Sequence, residues 1–297
     1  MKVSLLPDVV PAERPRSVAI GTFDGVHLGH REVIGDSDTV LTFDPHPMSV
    51  IRPEAAPKLL TPPQVKRDLI AELGVAEMVV IPFDEDFASR SAESFVEDVL
   101  VGRLGAGRVS VGENFRFGHG AEGDARLLAA QSAFETRVVP LVEVAGETVS
   151  SSRVRGLVAA GEVARAAEFL GGPFLFEGEV VSGDRRGREL GMPTANLVPD
   201  DRLVCPGHGV YAARARGHAA AVNVGVRPTF ETGRGLLVEA HLIDFEGDLY
   251  GEPLRIAFLE RMRGERRFDS VDALVEQMRL DVVQAREICA STSHRAA

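Results

Sequence analysis

The chain has 297 residues, 44% of them hydrophobic and 26% charged, with a formal net charge of -11. That length suits two domains, each able to bury a core of its own. Residues 1–172 hold 17 Lys+Arg against 25 Asp+Glu and the remainder 16 against 19, so neither half has the basic footprint of a nucleic-acid binder.

In chain order, Ser17–Ile20 is a short apolar strand running into the glycine-rich turn GTFDGVHLGH. Val40–Phe43 is a second strand, ending in DPHP. Thr61–Gly74 reads as a helix: Thr61 caps it, Pro62 suits its first turn, Gln64 fits a capping box and Gly74 ends it. Met78–Pro82 is the next strand and Ser91–Leu104 the next helix, followed by strands at Arg108–Val111 and Arg137–Val144. This alternation predicts an α/β domain with a doubly wound parallel sheet. Two short helices, Ser152–Ala160 and Glu162–Leu170, lead to Gly171, Gly172 and Pro173, where the chain breaks. The expected domains are therefore 1–170 and 173–297.

Beyond the break, short β-rich runs dominate: Leu175–Val181, Gly209–Arg214, Ala220–Val224, Leu236–Asp244 and Leu254–Phe258. Their spacing suggests a small antiparallel barrel or sandwich, and the barrel is the form we expect. A terminal helix, Ser270–Cys289, places Val271, Leu274, Met278, Val282, Ala285 and Cys289 on one face to pack against it. Cys205 and Cys289 have neither metal-ligand spacing nor a disulfide framework, which predicts a reducing, cytoplasmic setting. No apolar run nears the roughly 18 residues of a membrane span, so no membrane partner is expected.

Chemistry concentrates in a few segments. His27 and His30 form an H-x-G-H pair between a strand and a helix start. Strand ends of open parallel sheets and helix N-termini both receive phosphates. Two imidazoles three apart share a helical face and can donate to one triphosphate, stabilising a pentavalent phosphorus without a covalent intermediate. Gly29 allows close approach, and Gly21, Phe23 and Asp24 complete the expected nucleotide loop. Exposed polar residues near a turn are the ordinary alternative; the strand–turn–helix context outweighs it. Asp44 and His46 in TFDPHP are aimed at the same sheet edge, although for this segment alone a structural turn at Pro45 and Pro47 capped by Asp44 is the favoured reading. Asn114 in VGENFRFGHG can read a ring or a phosphate, or belong to a plain glycine loop. Ser151, Ser152 and Arg153 begin a helix, where hydroxyls, N–H groups and a guanidinium bind phosphate; an ordinary serine cap is the alternative.

In the second half, GDRRGRELGMPTANL puts Gly187 and Gly191 where a loop can cover phosphates. Thr194 and Asn196 share a face if extended, and the hydroxyl suits Mg²⁺. A surface hairpin is the plain alternative. Glu239 stands in an otherwise apolar strand, either facing solvent or serving as a general base.

Together GTFDGVHLGH, TFDPHP, VGENFRFG and TVSSSRVR resemble the prokaryotic bifunctional riboflavin kinase/FMN adenylyltransferase family. GRELGMPTANL, GVYAA, NVGVRPTF, EAHLIDFEGDLYG and FLERMRGERRF resemble its kinase module. The resemblance implies an H-x-G-H nucleotidyltransferase fold in the first half. There His27 and His30 hold ATP phosphates, Asn114 serves the nucleotide and flavin, and Ser151, Ser152 and Arg153 form a second phosphate motif. It implies that Thr194 and Asn196 hold Mg²⁺ with ATP, that Glu239 activates the ribityl 5′-hydroxyl, and that Arg261 borders the flavin. Riboflavin, FMN, FAD and ATP are the implied ligands; oligomeric state is not legible. Two departures stand out. Ser152 replaces a usual Thr, and the segment REVIGDSD after His30 leaves room for only about two helical turns. The shortening motivates an alternative, a kinase with a degenerate adenylyltransferase domain. A flavin-binding protein without turnover and a tRNA-linked enzyme are further alternatives; the set Thr194, Asn196 and Glu239 and the acidic first half weigh against them.

Overall fold

The computed structural model describes residues 1–10, 13–181, 192–229 and 233–293. It falls into two compact units: 1–57 with 63–151, and 58–62 with 152–297. The helices Ser151–Ala159 and Val163–Leu170 thus count almost wholly with the second unit, together with the short segment 58–62. That segment is held there by a bridge from Leu59 to Leu203 and by Arg155 Nε donating to the Lys58 carbonyl at 2.7 Å.

The first unit is built on six parallel strands: β1 (Lys2–Leu5), β2 (Arg16–Ile20), β3 (Thr39–Asp44), β4 (Glu77–Pro82), β5 (Ala106–Gly112) and β6 (Glu135–Val139). Their order is β1-β4-β3-β2-β5-β6. Side chains alternate between two cores. Val18, Ile20, Leu41, Phe43, Val79 and Ile81 face one, while Ala19, Val40 and Met78 face the other. Val33, Ile34 and Ile70, from the helices Leu28–Ile34 and Pro63–Glu72, cover the second. The first is covered by Val96, Val99 and Leu100, from a helix that begins at Ala92 and widens into π-type turns over Phe95–Arg103. The chain leaving β5 returns to the first core through Ala125 and Leu128, so chains leaving the neighbours β2 and β5 go to opposite faces. The crevice between them is the switch point where open α/β sheets bind ligands.

Two features of this unit were not predicted. β1 is an extra edge strand too short to signal itself. The expected strand Arg137–Val144 ends at Val139, because Pro140 offers no N–H to the ladder; a separate small ribbon pairs Glu143–Val144 with Glu147–Thr148.

Opposite the crevice, the starts of three strands share one ionic cluster. Glu77 accepts from Lys2 Nζ at 2.9 Å, Ser4 Oγ at 2.8 Å and Arg16 Nη2 at 3.3 Å. Arg16 also donates to the carbonyls of Leu104 and Val10.

The second unit is a closed antiparallel barrel of β7 (Phe174–Val181), β8 (Ala195–Leu197), β9 (Gly209–Ala215), β10 (His218–Thr229), β11 (Gly233–Leu242) and β12 (Pro253–Arg263), in the order β7-β8-β11-β10-β9-β12. Phe258 centres its core, with Phe174, Phe176 and Tyr211 around it. The closing helix runs from Val271 to Ser293, capped by Ser270 Oγ on the Ala273 N–H. It packs Val282, Ala285 and Ile288 on the small outer residues Ala212, Ala219 and Ala221. Val271, expected in that face, is 62% exposed, since the first turn overhangs the alanine platform. Arg263 grips Asp281 through Nε at 2.9 Å and Nη2 at 2.7 Å, pinning the helix to β12. Among the described residues no helix is long and apolar enough to cross a membrane.

Two predictions follow from these anchors. Burial alone raises the Glu77 carboxyl, but hydrogen bonds and charge from Lys2, Ser4 and Arg16 outweigh it and hold the group below the ordinary range. A depressed folded pKa contributes stability that is present above the unfolded value and lost as pH falls through the folded one. Wild type should therefore exceed Glu77→Gln in unfolding midpoint at neutral pH, with the gap closing under acid. Asp281→Ala strands a guanidinium that is only 14% exposed. It should cost about 3 kcal/mol in chemical denaturation of the second unit.

Candidate functional site

The loop after β2 is unusual backbone. Phe23 and Val26 adopt φ of 50° and 44°, and Gly25 lies between them at 89°. A β-branched residue in that region is strained, on the order of 1–3 kcal/mol. The loop is held because both side chains are buried, Phe23 at 1% and Val26 at 0% exposure. Gly21 has no side chain because a Cβ there would meet the Phe23 ring at 3.1 Å. The turn delivers His27 to the N-cap of the helix Leu28–Ile34, where its Nδ1 accepts the His30 N–H at 3.2 Å. With Nδ1 accepting, Nε2 carries the proton of the neutral ring. The two imidazoles stack with centroids 3.6 Å apart, and Phe23 meets His30 edge-on. A Cβ on Gly29 would stand 3.3 Å from the His27 ring, so the glycine protects this stack. The short helix after His30 does form, and it anchors itself through Val33 and Ile34.

The crevice opens into a cavity of about 1000 Å³. His27, His30, Gly21, Asn114 and Ser151 line its polar part; Val50, Phe83, Phe87, Phe95, Phe115 and Phe117 supply an aromatic and aliphatic part. Arg52, Arg90 and Arg116 also reach it. His46 lines it as well, its Nδ1 capping the Met48 N–H at 3.2 Å after the cis Asp44–Pro45 bond. Ser151 Oγ donates to the Asp24 carbonyl at 2.9 Å, tying the TVSSSRVR segment to the nucleotide loop. Asp24 is buried and Asp44 exposed at the end of β3; neither lines the cavity. Ser152 and Arg153 are exposed and count with the second unit.

Sequence reasoning missed Lys66. Its Nζ donates to the Thr22 carbonyl at 3.2 Å and to Thr42 Oγ1 at 3.4 Å, beneath the nucleotide loop. Burial pushes the ammonium pKa down, against the fields of Asp24 and Asp44, which favour its charge. Its signal was hidden because one lysine in an amphipathic helix looks like a solvated residue.

In the second unit, β8, β11 and β10 place Asn196, Glu239 and Asn223 directly opposite one another in a single row. The next row, Leu197, Val238 and Val224, is fully buried inside the barrel, so the polar row lies on its outer face. Asn223 Nδ2 donates to Glu239 Oε2 at 3.1 Å. His241, two residues on from Glu239, contacts the Pro193 carbonyl at 2.8 Å through Nδ1 and so tethers the chain entering Thr194. Thr194 precedes β8 by one residue and is half-buried. Arg261 gives Nη2 to the His208 carbonyl at 2.5 Å. Gly187 and Gly191 lie outside the described residues. The donors near Thr194 and Asn196 are hydroxyl, amide and carboxylate oxygens, the chemistry of a hard cation that keeps waters and phosphate oxygens. Among the described residues no cluster of three or more His, Cys, Asp or Glu forms a protein-only metal cage.

Comparison with known proteins agrees with this division. The FAD synthetase family model matches residues 10–153 and the riboflavin kinase model residues 170–289. Proteins named bifunctional riboflavin kinase/FMN adenylyltransferase align over nearly the whole chain. That of Escherichia coli K12 is 37% identical and that of Listeria monocytogenes 35%, each over 91% of both chains. That of Bacillus subtilis is 34% identical over 93% of this chain and 94% of its own. A crystal structure of a macrolide-efflux protein from Streptococcus pneumoniae has 30% identity and a TM-score of 0.85. It covers 96% of this chain and 99% of that one. Both matched modules favour two activities over the kinase-only alternative. The chain belongs to the bifunctional riboflavin kinase/FMN adenylyltransferase family and is an enzyme with both activities.

Proposed function

We propose that the two reactions are divided between the compact units, with ATP giving its γ-phosphoryl group in one and its adenylyl group in the other, and Mg²⁺ as the accompanying ion. In functional terms the modules are 1–170 and 173–297. The second phosphorylates riboflavin at its 5′-hydroxyl. Glu239 takes the hydroxyl proton as the oxygen attacks the γ-phosphorus, and ADP leaves. Thr194 and Asn196 would hold Mg²⁺, which when bound neutralises charge on the phosphate oxygens. Gly187 and Gly191 would cover those phosphates, and Arg261 supports the flavin border from the His208 carbonyl.

The first module joins FMN to AMP. A phosphate oxygen of FMN attacks the α-phosphorus of ATP, and pyrophosphate leaves. The attacking phosphate is already ionised, so no general base is required. The chain's task is positioning and charge neutralisation. His27 and His30 donate to the polyphosphate, Gly21, Phe23, Asp24 and Gly29 shape the loop that receives it, Asn114 stands at the nucleotide and flavin edge, and Asp44 acts from outside the cavity through its field on Lys66. Ser151 would add a donor from its place beside the Asp24 carbonyl. The aromatic part of the cavity suits an isoalloxazine ring. Carrying this reading is the stacked His27–His30 pair at the mouth of a switch-point cavity with an aromatic lining.

We place both reactions in the cytoplasm, in keeping with thiols that burial holds protonated: Cys205 is pushed up to about 12 and Cys289 is raised.

Purified protein with riboflavin and Mg-ATP should yield FMN and then FAD, followed by chromatography. FMN persisting with excess ATP would overturn the role given to the first module. Lys66→Met removes the ammonium between the Thr22 carbonyl and the two aspartates. A lost charged hydrogen bond of about 2 kcal/mol predicts FAD formation slowed at least ~10-fold. FMN formation by the other unit should stay at its wild-type rate, and loss of both activities would count against this role.

A further inference from the structure

Glu239 faces two asparagines in its cross-strand row, and they are not equivalent. Asn196 belongs to the segment that the proposed function places at the metal and phosphates. Asn223 opens NVGVRPTF and has no part in that assignment. Yet Asn223 is the residue whose amide nitrogen donates to Glu239, at 3.1 Å on Oε2.

The bond has a direction that matters. An ionised carboxylate only accepts, and an amide NH₂ only donates. A donor fixed on Oε2 therefore holds the carboxylate plane and leaves Oε1 to accept a proton. The register leaves Asn223 no other place, since it sits directly opposite Glu239 with Val222 and Val224 buried on either side. Directly opposed side chains have Cβ atoms about 5 Å apart, within reach of an amide-to-carboxylate bond. Gly225, next along the same outer face, has no side chain, and the Glu265 carboxylate lies 2.6 Å from where its Cβ would be. That carboxylate is in turn 3.5 Å from His208 Nδ1. A neutral amide orients Glu239 without cancelling its charge, as Lys or Arg would.

We propose that Asn223 is a positioning residue for riboflavin phosphorylation: its amide holds the Glu239 carboxylate in the orientation that accepts the substrate hydroxyl proton. The inference rests on Glu239 being the base. Asn223→Leu keeps similar bulk and removes the donor. Steady-state kinetics of FMN formation should show kcat lowered about 10–100-fold, the scale of a misplaced reacting group. KM for riboflavin and for ATP should stay within about twofold, because the substrate-binding groups are untouched. FAD formation from supplied FMN should be unchanged, reporting on the other unit of the same chain.

Glu239→Gln is measured alongside. If it works at the wild-type rate, the base assignment itself falls. If it is inactive while Asn223→Leu keeps kcat within twofold, the base stands and the positioning role falls. In the Glu239→Gln background, Asn223→Leu should cost less than about twofold, because residues acting as a unit are not additive; an undiminished cost there places Asn223 elsewhere and overturns the proposal. An effect confined to KM does the same. Should Asn223→Leu fail to fold, Asn223→Ser removes the same bond with less bulk. The kcat loss at unchanged KM supports the role, and a wild-type kcat ends it.

Discussion

In the first unit everything depends on one topological constraint, the reversal of strand order between β2 and β5. Parallel strands need crossovers, and right-handed crossovers commit each helix to a face. Once β2 feeds one face and β5 the other, no helix can close the crevice at their C-terminal ends. That gap is where GTFDGVHLGH and VGENFRFG both emerge. The strained backbone at Phe23 and Val26 is tolerable because both side chains are driven into a core the sheet has already built. Burial thus offsets the cost of a loop that presents two imidazoles to the cavity in a fixed stack.

The barrel solves the same problem by different means. An antiparallel barrel has no common edge of strand ends, so its chemistry is gathered across strands. Asn196, Glu239 and Asn223 come from three separate segments and meet only because their register is shared. A shift of one residue would send Glu239 into the apolar interior and Val238 outward. The hydrophobic rows inside therefore set the polar row outside. Core packing at Leu197, Val238 and Val224 is a condition of the site as much as of stability.

This difference explains what was legible in the sequence. The nucleotide loop, the β/α alternation and the glycine that ends the helix Val163–Leu170 are local patterns, and local patterns survive in one dimension. His27 and His30 could be paired by counting, though their stacking and the capping role of His27 could not. Glycines were harder to read. Gly29, expected to let phosphate approach, does line the cavity, and the His27 ring packed against it was not legible. Lys66 and Asn223 escaped because their importance lies in what they face, and strand register and helix rotation are tertiary facts. The terminal helix shows the same limit. Its periodicity was readable, but the platform of Ala212, Ala219 and Ala221 decides which turns of that face are covered, and Val271 lies beyond it.

Charge placement within each unit follows one further logic. Glu77 with Lys2 and Arg16, and Arg263 with Asp281, are fully satisfied clusters away from the reacting centres. Their buried charges are matched by opposite charges, so they hold strands and helix in place without attracting a ligand. At the candidate site of the first unit, charged and polar groups also line a cavity. Lys66 answers two aspartates from below, Arg90 and Arg116 reach the cavity while paired with Asp98 and Asp124, and in the second unit one neutral amide steadies Glu239. A base that met a full counter-charge would lose its drive to take a proton, and imidazoles buried against carboxylates would have nothing left to give a phosphate. Structural ion pairs and catalytic groups of the first unit therefore differ less in residue type than in whether they line a cavity that a substrate can enter.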